Sequence, residues 1–255
     1  MIIIRYSSDA GPVYGLAESH VVYALEGDVF GSFHKGKEIA PLDEVKLLAP
    51  VMPGKIVALG RNYAEHAKEH GSEVPKEPLL FLKAPSAVIG PDEPIVLTPL
   101  SNQVEHESEL VLVIGKRAKN VSEDKAWEYI LGVTCGNDVT ARDLQRSDGQ
   151  WARAKSFDTF GPLGPWIVTH LRPEDICDLG VTCRVNGQMR QMASTREMMF
   201  GPARLVAHIT AAMTLWPGDI ILTGTPAGVG PLHAGDVVEV EVEGIGVLRN
   251  PVVAP

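Results

Sequence analysis

The chain has 255 residues, of which 45% are hydrophobic, and its formal net charge at pH 7 is −9. This length supports one sizeable core with room for a small accessory domain. The acidic balance, with no cluster of Lys and Arg, argues against a nucleic-acid partner. The three cysteines lack CxxC spacing, so we expect reduced thiols in a cytoplasmic protein rather than a disulfide framework or a zinc ribbon. No apolar stretch of the sequence is long enough to span a membrane.

Residues 1–50 are predicted to form a small β-rich domain. Short apolar runs alternate there with turns that contain Gly and Asp, which is typical of successive strands. We place the strands at residues 2–6, 13–16, 21–25 and 29–30, followed by one helical turn within residues 42–48. A Pro-containing linker then leads into a larger second domain, which we assign to residues 51–255.

The second domain contains many short predicted strands and few helices, so its predicted class is α+β. Gly71 ends a short helix over residues 64–70, and Asn186-Gly187 predicts a β-hairpin. Ser122 is the expected N-cap of a helix over residues 122–130. The remaining predictions are an irregular Pro-rich segment at 84–103, strands at 55–59, 79–83, 104–114, 132–135, 167–169, 182–185, 219–223 and 236–243, and a helix at 202–215.

Three glutamates stand at alternate positions near the start of the strand predicted over residues 104–114. A strand sends alternate side chains to one face, about 6.6 Å apart along the backbone, so Glu105, Glu107 and Glu109 are predicted to share a face. The apolar run that follows them indicates a buried strand. Buried carboxylates repel one another and need a compensating charge, which a hard divalent cation supplies.

The alternative for this stretch is an ordinary strand with a solvated acidic face. Residues 238–243 show the same alternation of Val and Glu, and we interpret them in that way because their run ends in Gly244-Ile245-Gly246. The first stretch differs from them because its flank is apolar on both faces. A further candidate ligand also lies downstream of it, within residues 135–143.

Six motifs follow one another along the second domain: Gly60-Arg61-Asn62-Tyr63-Ala64-Glu65-His66; Phe81-Leu82-Lys83; His106-Glu107-Ser108-Glu109-Leu110; Asn137-Asp138-Val139-Thr140-Ala141-Arg142-Asp143-Leu144-Gln145; Ala154-Lys155-Ser156-Phe157-Asp158; and Gly218-Asp219-Ile220-Ile221-Leu222-Thr223-Gly224-Thr225-Pro226. Together they resemble the fumarylacetoacetate hydrolase family. The resemblance is closest to its acylpyruvase-like and 2-hydroxyhepta-2,4-diene-1,7-dioate isomerase-like members, and it covers residues 55–253.

The resemblance implies a mixed β-sandwich roll, assembled as a homodimer, with residues 51–255 as the catalytic domain. It also implies a bound Mg²⁺ or Mn²⁺, or in some members Ca²⁺, and no organic cofactor. Glu107, Glu109 and Asp138 match the family's three carboxylate ligands. Glu105 is not among those ligands, so we expect it to have a structural role.

The substrates that the resemblance implies are small 2-oxo acids or their enols. A divalent ion can chelate the 2-oxo oxygen and the adjacent carboxylate, and so stabilise an enolate. Lys155 is expected to offset the excess negative charge of three carboxylates and to donate to a substrate oxygen. The alternative for Lys155 is a surface ion pair, which its position between Trp151 and Phe157 disfavours.

Arg142 and Gln145 would share a face if their segment is helical. A guanidinium suits a carboxylate, and the resemblance assigns both side chains to substrate contacts. The alternative for Arg142 is an internal pair with Asp143 or Asp148.

The Gly-rich segment at residues 223–230 lacks the Gly-Lys-Ser/Thr of a P-loop, and no helix is predicted after it, so a nucleotide site is not indicated. A structural turn is the simplest interpretation of this segment. The resemblance adds that Thr225 offers its hydroxyl to a substrate carboxylate.

His66 and Glu69 would also face the same way on a short helix. A carboxylate beside an imidazole raises its basicity and can orient a water molecule. The resemblance places this pair on a lid that orders when substrate binds. We assign the lid to residues 61–75, which contain many charges and few apolar anchors. The alternative is a polar surface helix without a function.

Taken together, the sequence predicts a metal-dependent enzyme of 2-oxo acid chemistry, of the kind used in aromatic catabolism. The preferred reaction is C–C bond hydrolysis of an acylpyruvate-type substrate. Isomerisation of 2-hydroxyhepta-2,4-diene-1,7-dioate and decarboxylation of oxaloacetate are alternatives, because the same ion and Lys155 serve all three. A hypothesis of a different class is a catalytically inactive paralogue that retains its metal.

Overall fold

Short strands make up most of the regular structure, as the apolar and β-branched runs predict. The computed structural model of the chain describes residues 1–69, 71, 73 and 75–255. The strands are β1 (Ile2–Ser8), β2 (Gly11–Glu18), β3 (Val21–Gly27), β4 (Phe33–Pro41), β5 (Ile56–Gly60), β6 (Leu79–Lys83), β7 (Val88–Ile89), β8 (Ile95–Val96), β9 (Val104–His106), β10 (Ser108–Ile114), β11 (Ile130–Asn137), β12 (Thr140–Ala141), β13 (Gly161–Val168), β14 (Gly180–Val185), β15 (Gln188–Ser194), β16 (Ile220–Leu222), β17 (Gly230–Pro231), β18 (Val237–Val242) and β19 (Gly246–Val253).

Helices are few and short in the described residues, which confirms the α+β class. The α-helices are α1 (Ala64–Glu69), α2 (Arg142–Asp148), α3 (Ala152–Lys155), α4 (Pro173–Ile176) and α5 (Pro202–Ala212). Short 3₁₀ helices add Leu42–Glu44, Pro85–Ala87, Glu123–Tyr129 and Thr195–Glu197.

Three sheets organise these strands. The largest runs in the order β4-β3-β2-β1-β13-β11-β10-β16-β5-β6, with β7 added beside β13. A second sheet runs β15-β14-β18-β19-β8, and a small one runs β12-β9-β17. Most pairs are antiparallel, whereas β16 pairs with β5, β7 with β13 and β8 with β19 in parallel. The mixed pairing confirms the predicted mixed sandwich roll.

Strand β10 is buried on both of its faces, which explains its continuous apolar sequence. Leu110, Leu112 and Ile114 pack into the main core together with residues of the second sheet. Val111 and Val113 point the other way, into a second cluster that includes residues of β1, β2, β5 and β16. The strand that follows the acidic stretch therefore lies at the centre of the molecule.

The N-terminal strands extend the largest sheet, because β1 pairs with β13. The prediction of a strand at residues 29–30 is wrong, since these residues lie in a turn and the fourth strand is Phe33–Pro41. This strand is at the edge of the sheet and its residues are half-buried or exposed, so its sequence is polar and lacks an apolar run. The boundary at residue 50 stays a prediction.

The prediction of one continuous strand over residues 104–114 is also wrong. Strands β9 and β10 belong to different sheets, and Glu107 lies between them, outside both. The backbone N–H of Glu107 donates to the Asn137 side-chain oxygen at 2.9 Å, and the Glu107 carbonyl accepts from the N–H of Asp138 at 2.9 Å. These bonds to a distant segment replace the strand ladder at Glu107 and break the alternation there.

Other local predictions meet mixed outcomes. The Asn186-Gly187 hairpin is confirmed, with φ of 53° and 74° at the two turn residues. Ser122 precedes a 3₁₀ helix rather than an α-helix, and its side chain makes no capping bond. The helix predicted to reach His70 is α1, and His70 itself lies outside the described residues. Across the described part of the chain, no helix is both long and apolar enough to cross a membrane.

Candidate functional site

The break between β9 and β10 lies next to the end of β11, and together these segments carry three acidic side chains. Glu107, Glu109 and Asp138 each offer a carboxylate oxygen, and these oxygens lie within 4.8 Å of one another. All three residues are buried. The structure therefore brings together the three predicted metal ligands, in a group that could hold a metal ion.

Two lysines face this carboxylate group from neighbouring elements. Lys155, at the end of α3, places Nζ 2.7 Å from Glu107 Oε2 and 2.6 Å from Asp138 Oδ2. Lys83, at the end of β6, places Nζ 2.6 Å from Asp138 Oδ1. Both lysines are only 2% exposed. The alternative of a surface ion pair for Lys155 is wrong.

The two lysines differ in the direction of their pKa shifts. Burial lowers the pKa of both ammonium groups, and for Lys83 it outweighs the attraction of Asp138. Lys155 contacts two carboxylates, Asp138 and Glu107, and their attraction raises its pKa in spite of burial. Of the two lysines, Lys155 is therefore the one that keeps its positive charge more firmly.

Arg142 lies on the first turn of α2, which confirms the helical spacing predicted for Arg142 and Gln145. Its guanidinium donates from Nε to Glu105 at 2.7 Å and also to Glu107 and the Gln145 side-chain oxygen. The alternative for Arg142, an internal pair with Asp143 or Asp148, is wrong, because Asp143 accepts from Ser101 and Asp148 accepts from Arg153. Glu105 thus has the structural role expected of it, since it holds Arg142 in place.

Glu109 is the least compensated of the buried acids. Its Oε2 accepts from the Gly224 N–H at 2.6 Å, while its Oε1 has no hydrogen-bond partner in the described residues. Burial, and then the charges of Asp138 and Glu107, raise the pKa of the Glu109 carboxyl well above its usual value. Burial acts in the same direction on Glu107, but Lys155 and Arg142 outweigh it and hold the pKa of Glu107 below its usual range.

The donor set at this site fits a hard divalent cation. Four buried carboxylates meet three buried cations, so one negative charge is left over among Glu105, Glu107, Glu109, Asp138, Lys83, Arg142 and Lys155. The unpartnered Oε1 of Glu109 is an oxygen ligand of the kind that Mg²⁺, Mn²⁺ or Ca²⁺ takes. A divalent cation at the three carboxylates would offset this excess and leave a formal charge of +1 on the group, which suits an anionic substrate.

A cavity of about 340 Å³ opens beside these acids. Aromatic and apolar side chains form part of its wall, including Phe81 and Trp151, which pack edge to face at 5.2 Å. Six of the nine site residues predicted from the sequence line it, namely His66, Glu107, Arg142, Gln145, Lys155 and Thr225. The cavity therefore joins the predicted substrate contacts to the carboxylate group.

Of the pair predicted on the lid, His66 lines this cavity and Glu69 lies beside it. His66 is 6% exposed, so the alternative of a plain surface helix does not describe it. Its Nδ1 lies 3.4 Å from Glu69 Oε2, and the Glu69 carboxylate accepts from the backbone N–H of Gly228 at 3.1 and 3.3 Å. Part of the segment predicted as the lid, His70, Ser72 and Val74, lies outside the described residues. The lid itself stays a prediction.

Two further arginines, Arg61 and Arg146, line the cavity; they are called the outer arginines because both are more exposed than Arg142. Arg61 has a φ of +59°, a left-handed conformation that is uncommon for Arg, and its guanidinium lies 5.9 Å from the Trp151 ring. Arg146 makes one bond, at 3.3 Å, to the Gln103 side-chain oxygen. Within residues 1–69, 71, 73 and 75–255, neither arginine has a carboxylate partner.

Two residues near the site were not assigned from the sequence. Lys83 stands in one of the six motifs, and a Lys at the end of an apolar strand was the signal that could have identified it. Gln191 is 1% exposed on β15, and its side chain bonds to His106, Ser108, Thr225 and Pro226. No sequence signal marks Gln191, because its strand alternates polar residues and methionines without a motif.

Comparison with known proteins agrees with this geometry. The family described as fumarylacetoacetate (FAA) hydrolase C-terminal matches residues 55–253, and a family described as Rv2993c-like, N-terminal, matches residues 1–50. The chain is 45% identical over 225 residues to oxaloacetate tautomerase FAHD2B, mitochondrial, from Bos taurus, covering 84% of this chain and 72% of that protein.

Solved structures of similar proteins cover the whole chain. The 5-carboxymethyl-2-hydroxymuconate delta-isomerase from Mycobacterium smegmatis is 46% identical, with a TM-score of 0.92 and 100% of both chains covered. The 2-hydroxyhepta-2,4-diene-1,7-dioate isomerase from Mycobacterium marinum is 44% identical, with a TM-score of 0.90 and 100% and 98% covered. On this evidence the chain belongs to the fumarylacetoacetate hydrolase family, whose named members include isomerases and tautomerases.

Proposed function

We propose that this chain is an enzyme that moves a proton within a small 2-oxo or 2-hydroxy-ene dicarboxylic acid, with a divalent ion held by Glu107, Glu109 and Asp138. The observation that carries the proposal is the buried, under-compensated carboxylate group, which meets a cation-lined cavity at Glu107. When bound, Mg²⁺ or Mn²⁺ would supply a Lewis acid for the negative charge that develops on the 2-oxo oxygen. No organic cofactor is needed for this chemistry.

Lys155 is the residue proposed to meet the developing charge from the protein side. Its ammonium is buried, lines the cavity and stays positive because Asp138 and Glu107 flank it. A fixed cation in a water-poor site stabilises a developing oxyanion more strongly than it would in water. Arg142, held by Glu105, Glu107 and Gln145, adds a second fixed positive charge on the same wall.

His66 and Glu69 are proposed to carry the proton. The imidazole lines the cavity, and Glu69 is anchored by Gly228, so the carboxylate can orient the ring and support its positive form. In the proposed isomerisation, a proton leaves the carbon next to the 2-oxo carbonyl and returns to the oxygen or to another carbon. No other atom is gained or lost, so His66 needs only to take the proton and give it back.

Arg61 and Arg146 support a substrate with a second carboxylate. They are the cavity arginines without a carboxylate partner in the described residues, and a guanidinium suits a carboxylate. The isomerase from Mycobacterium marinum is named for a dioate, which has two carboxylates. We propose that the outer arginines receive the carboxylate furthest from the 2-oxo group.

The C–C bond hydrolysis of an acylpyruvate is the second candidate. It is favoured by the same His66 and Glu69 pair, which could orient a water molecule for attack on the carbonyl beyond the 2-oxo group. The electron pair of the broken bond would pass to the carbon next to the 2-oxo carbonyl, where charge stabilisation by Lys155 is again required. Both reactions therefore use the same site.

A substrate panel tests the proposal. The purified protein would be assayed with a 2-hydroxy-diene dioate, the enol of oxaloacetate, an acylpyruvate and keto-oxaloacetate, in the presence of Mg²⁺, Mn²⁺ or EDTA. We expect the fastest metal-dependent turnover with one of the first two, no net loss of mass from the substrate, and no turnover in EDTA. Cleavage of the acylpyruvate as the fastest reaction would select the second candidate, and loss of CO₂ from oxaloacetate would select decarboxylation. Absence of all four reactions would support an inactive paralogue.

The outer arginines give this panel a matched control. Arg146→Ala should lower kcat/KM for the dicarboxylate by about tenfold or more, since a hydrogen bond to a charged group contributes about 1.5–3 kcal/mol. The same variant should leave kcat/KM for an acylpyruvate of equal length unchanged, because that substrate lacks the far carboxylate. Equal losses on both substrates would exclude a far-carboxylate role for Arg146.

We also propose that the chain works as a homodimer. Several large apolar side chains are exposed on its surface, among them Met192 at 75% and Leu82 at 47%. Exposed apolar groups of this kind are typical of surfaces that bind a partner. Light scattering at micromolar concentration should give twice the mass of the chain, and a monomer with full activity would contradict the proposal.

A further inference from the structure

Gln191 lies on the second sheet, and among the described residues its side chain makes no hydrogen bond to the proposed ligands of the ion or to the acid–base residues. We infer that Gln191 is a positioning residue, which turns the hydroxyl hydrogen of Thr225 into the cavity so that it can donate to a substrate carboxylate. The inference rests on the proposed function, because Thr225 is taken there as a substrate contact.

The orientation of the Gln191 amide is fixed by its neighbours. Its nitrogen lies 2.8 Å from the carbonyl oxygen of Pro226, which can only accept a hydrogen bond. Its oxygen lies 3.1 Å from the backbone N–H of Ser108, which can only donate. A flipped amide would place its oxygen against the Pro226 carbonyl and its nitrogen against the Ser108 N–H, and neither pair could form a hydrogen bond. The amide nitrogen is therefore the atom that faces Thr225.

This orientation determines what the Thr225 hydroxyl can do. The Gln191 nitrogen donates to Thr225 Oγ1 at 2.7 Å, and so occupies an acceptor position of the hydroxyl. The hydroxyl hydrogen must then point elsewhere, and Thr225 lines the cavity. A hydroxyl with one proton and a filled acceptor position becomes a donor of fixed direction, which is what an anionic ligand requires.

Gln191 also connects this hydroxyl to the carboxylate group. Its side-chain oxygen accepts from the N–H of Ser108 and lies 3.0 Å from His106 Nδ1, so it binds the residue on each side of Glu107. Both N–H groups and both acceptor positions of the Gln191 amide are used, with His106 as the donor at Nδ1. This buried amide is therefore fully bonded, and it is held in the one orientation that points its nitrogen at Thr225.

The test measures ligand affinity rather than turnover. Oxalate, a two-carboxylate mimic of the substrate, would be titrated into the Mn²⁺-loaded protein by calorimetry. Thr225→Val should weaken oxalate binding by about tenfold or more, the loss expected for a hydrogen bond to a charged group. Gln191→Met should weaken it severalfold, because the hydroxyl is no longer held in one orientation, and should leave the affinity for Mn²⁺ itself within about twofold. Gln188→Met, an exposed position on the same strand, is the matched control and should have no effect.

The double variant distinguishes positioning from general damage. If Gln191 acts through the hydroxyl, Gln191→Met combined with Thr225→Val should bind oxalate no more weakly than Thr225→Val alone. Additive losses in the double variant would overturn the inference.

Gln191→Glu provides a second route if Gln191→Met does not fold. Its carboxylate would accept the Thr225 proton and turn it away from the cavity, so oxalate affinity should fall at least as far as in Thr225→Val. An unchanged affinity would overturn the positioning role alone and leave the proposed function standing. Failure of the wild-type protein to bind oxalate with either metal would overturn both.

Discussion

Glutamate alternates with another residue in two stretches of the chain, residues 105–109 and 238–243, but the glutamates are buried in the first and half-exposed or exposed in the second. Glu107 and Glu109 are 4% and 1% exposed, beside two buried lysines. In the second stretch, Glu241 forms a 2.7 Å pair with Arg184, and the two side chains are 40% and 34% exposed. The same sequence pattern thus produces a buried charge cluster in one place and a solvated strand face in the other.

The difference comes from where each stretch lies in the sheets. Strand β18 packs one face on the core, so Val238, Val240 and Val242 are buried while its two glutamates lie on the other, half-buried face. Residues 105–109 instead cross from the small sheet to the largest one, where all three glutamates are buried and the Gly224 N–H bonds to Glu109. Alternation identifies the face of a strand, whereas burial of that face by another segment identifies the site. Four predictions sharpen this comparison.

The largest effect is expected from removing one buried acid. Glu109→Gln takes away the oxygen with no hydrogen-bond partner in the described ranges, so metal affinity and metal-dependent turnover should fall on the order of 10³-fold or more. Without metal, the variant should unfold at a higher temperature than the wild type at pH 7, because a neutral amide replaces a carboxyl whose pKa is raised by burial. Glu241→Gln is the matched control and should change neither property. Normal turnover of Glu109→Gln at limiting Mg²⁺ would contradict the ligand assignment.

The next largest effect is expected from the proposed acid–base pair of helix α1, His66 and Glu69. Glu69→Ala and His66→Ala should each lower turnover by about 10²-fold, a typical loss for acid–base catalysis, with little change in oxalate affinity. Glu65→Ala removes a carboxylate from the exposed side of the same helix, where it pairs with Lys68, and should turn over normally. Steady-state kinetics would measure all three.

The predicted lid adds a second observable to this pair. Amide hydrogen exchange over residues 61–69 should slow when oxalate and Mn²⁺ are added, since closure would hold the segment against the substrate. Slow exchange in the free protein, together with normal turnover of His66→Ala, would show that α1 is a fixed part of the wall.

A smaller effect, on the free energy of unfolding, is expected to distinguish the buried ion pair of Lys83 from the half-exposed ion pair of Arg184. Lys83→Met leaves the buried Asp138 with one cationic partner fewer, so the free energy of unfolding should fall by about 3 kcal/mol. Arg184→Met removes the partner of half-exposed Glu241, and the expected loss is below about 1 kcal/mol. Urea denaturation in the absence of metal would compare the two variants. Equal losses would mean that burial does not distinguish the two regions.

The smallest effect concerns the reactivity of the three cysteines, which reports on the burial of their side chains without any substitution. Burial raises the pKa of Cys135 and of Cys183 to about 12, while Cys177 is exposed. Because the thiolate is the reactive form, the native protein should form one mixed disulfide with an aromatic disulfide reagent at pH 8 and so release one equivalent of aromatic thiolate, whereas the denatured protein should release three. Rapid reaction of Cys183 in the native state would show that the sheet near His106 opens.

The sequence by itself determined the elements whose signals are local. The strand Leu79–Lys83, the hairpin at Asn186-Gly187 and the helical face of Arg142 and Gln145 follow from apolar runs, turn chemistry and helical spacing, so they were predicted correctly. The carboxylates of Glu107, Glu109 and Asp138 were also identified, because residue types that bind hard cations stand in recognisable motifs. Their roles as ligands stay a proposal.

Only the tertiary structure decided the features that depend on distant partners. The strand is interrupted at Glu107 because the backbone N–H and carbonyl of Glu107 bond to Asn137 and Asp138, about thirty positions away, and not to a neighbouring strand. Lys83 becomes a site residue through Asp138, and Gln191 through Thr225, in contacts that no local pattern encodes. A sequence shows which side chains can carry charge, whereas packing decides which of those charges lose their water and need one another.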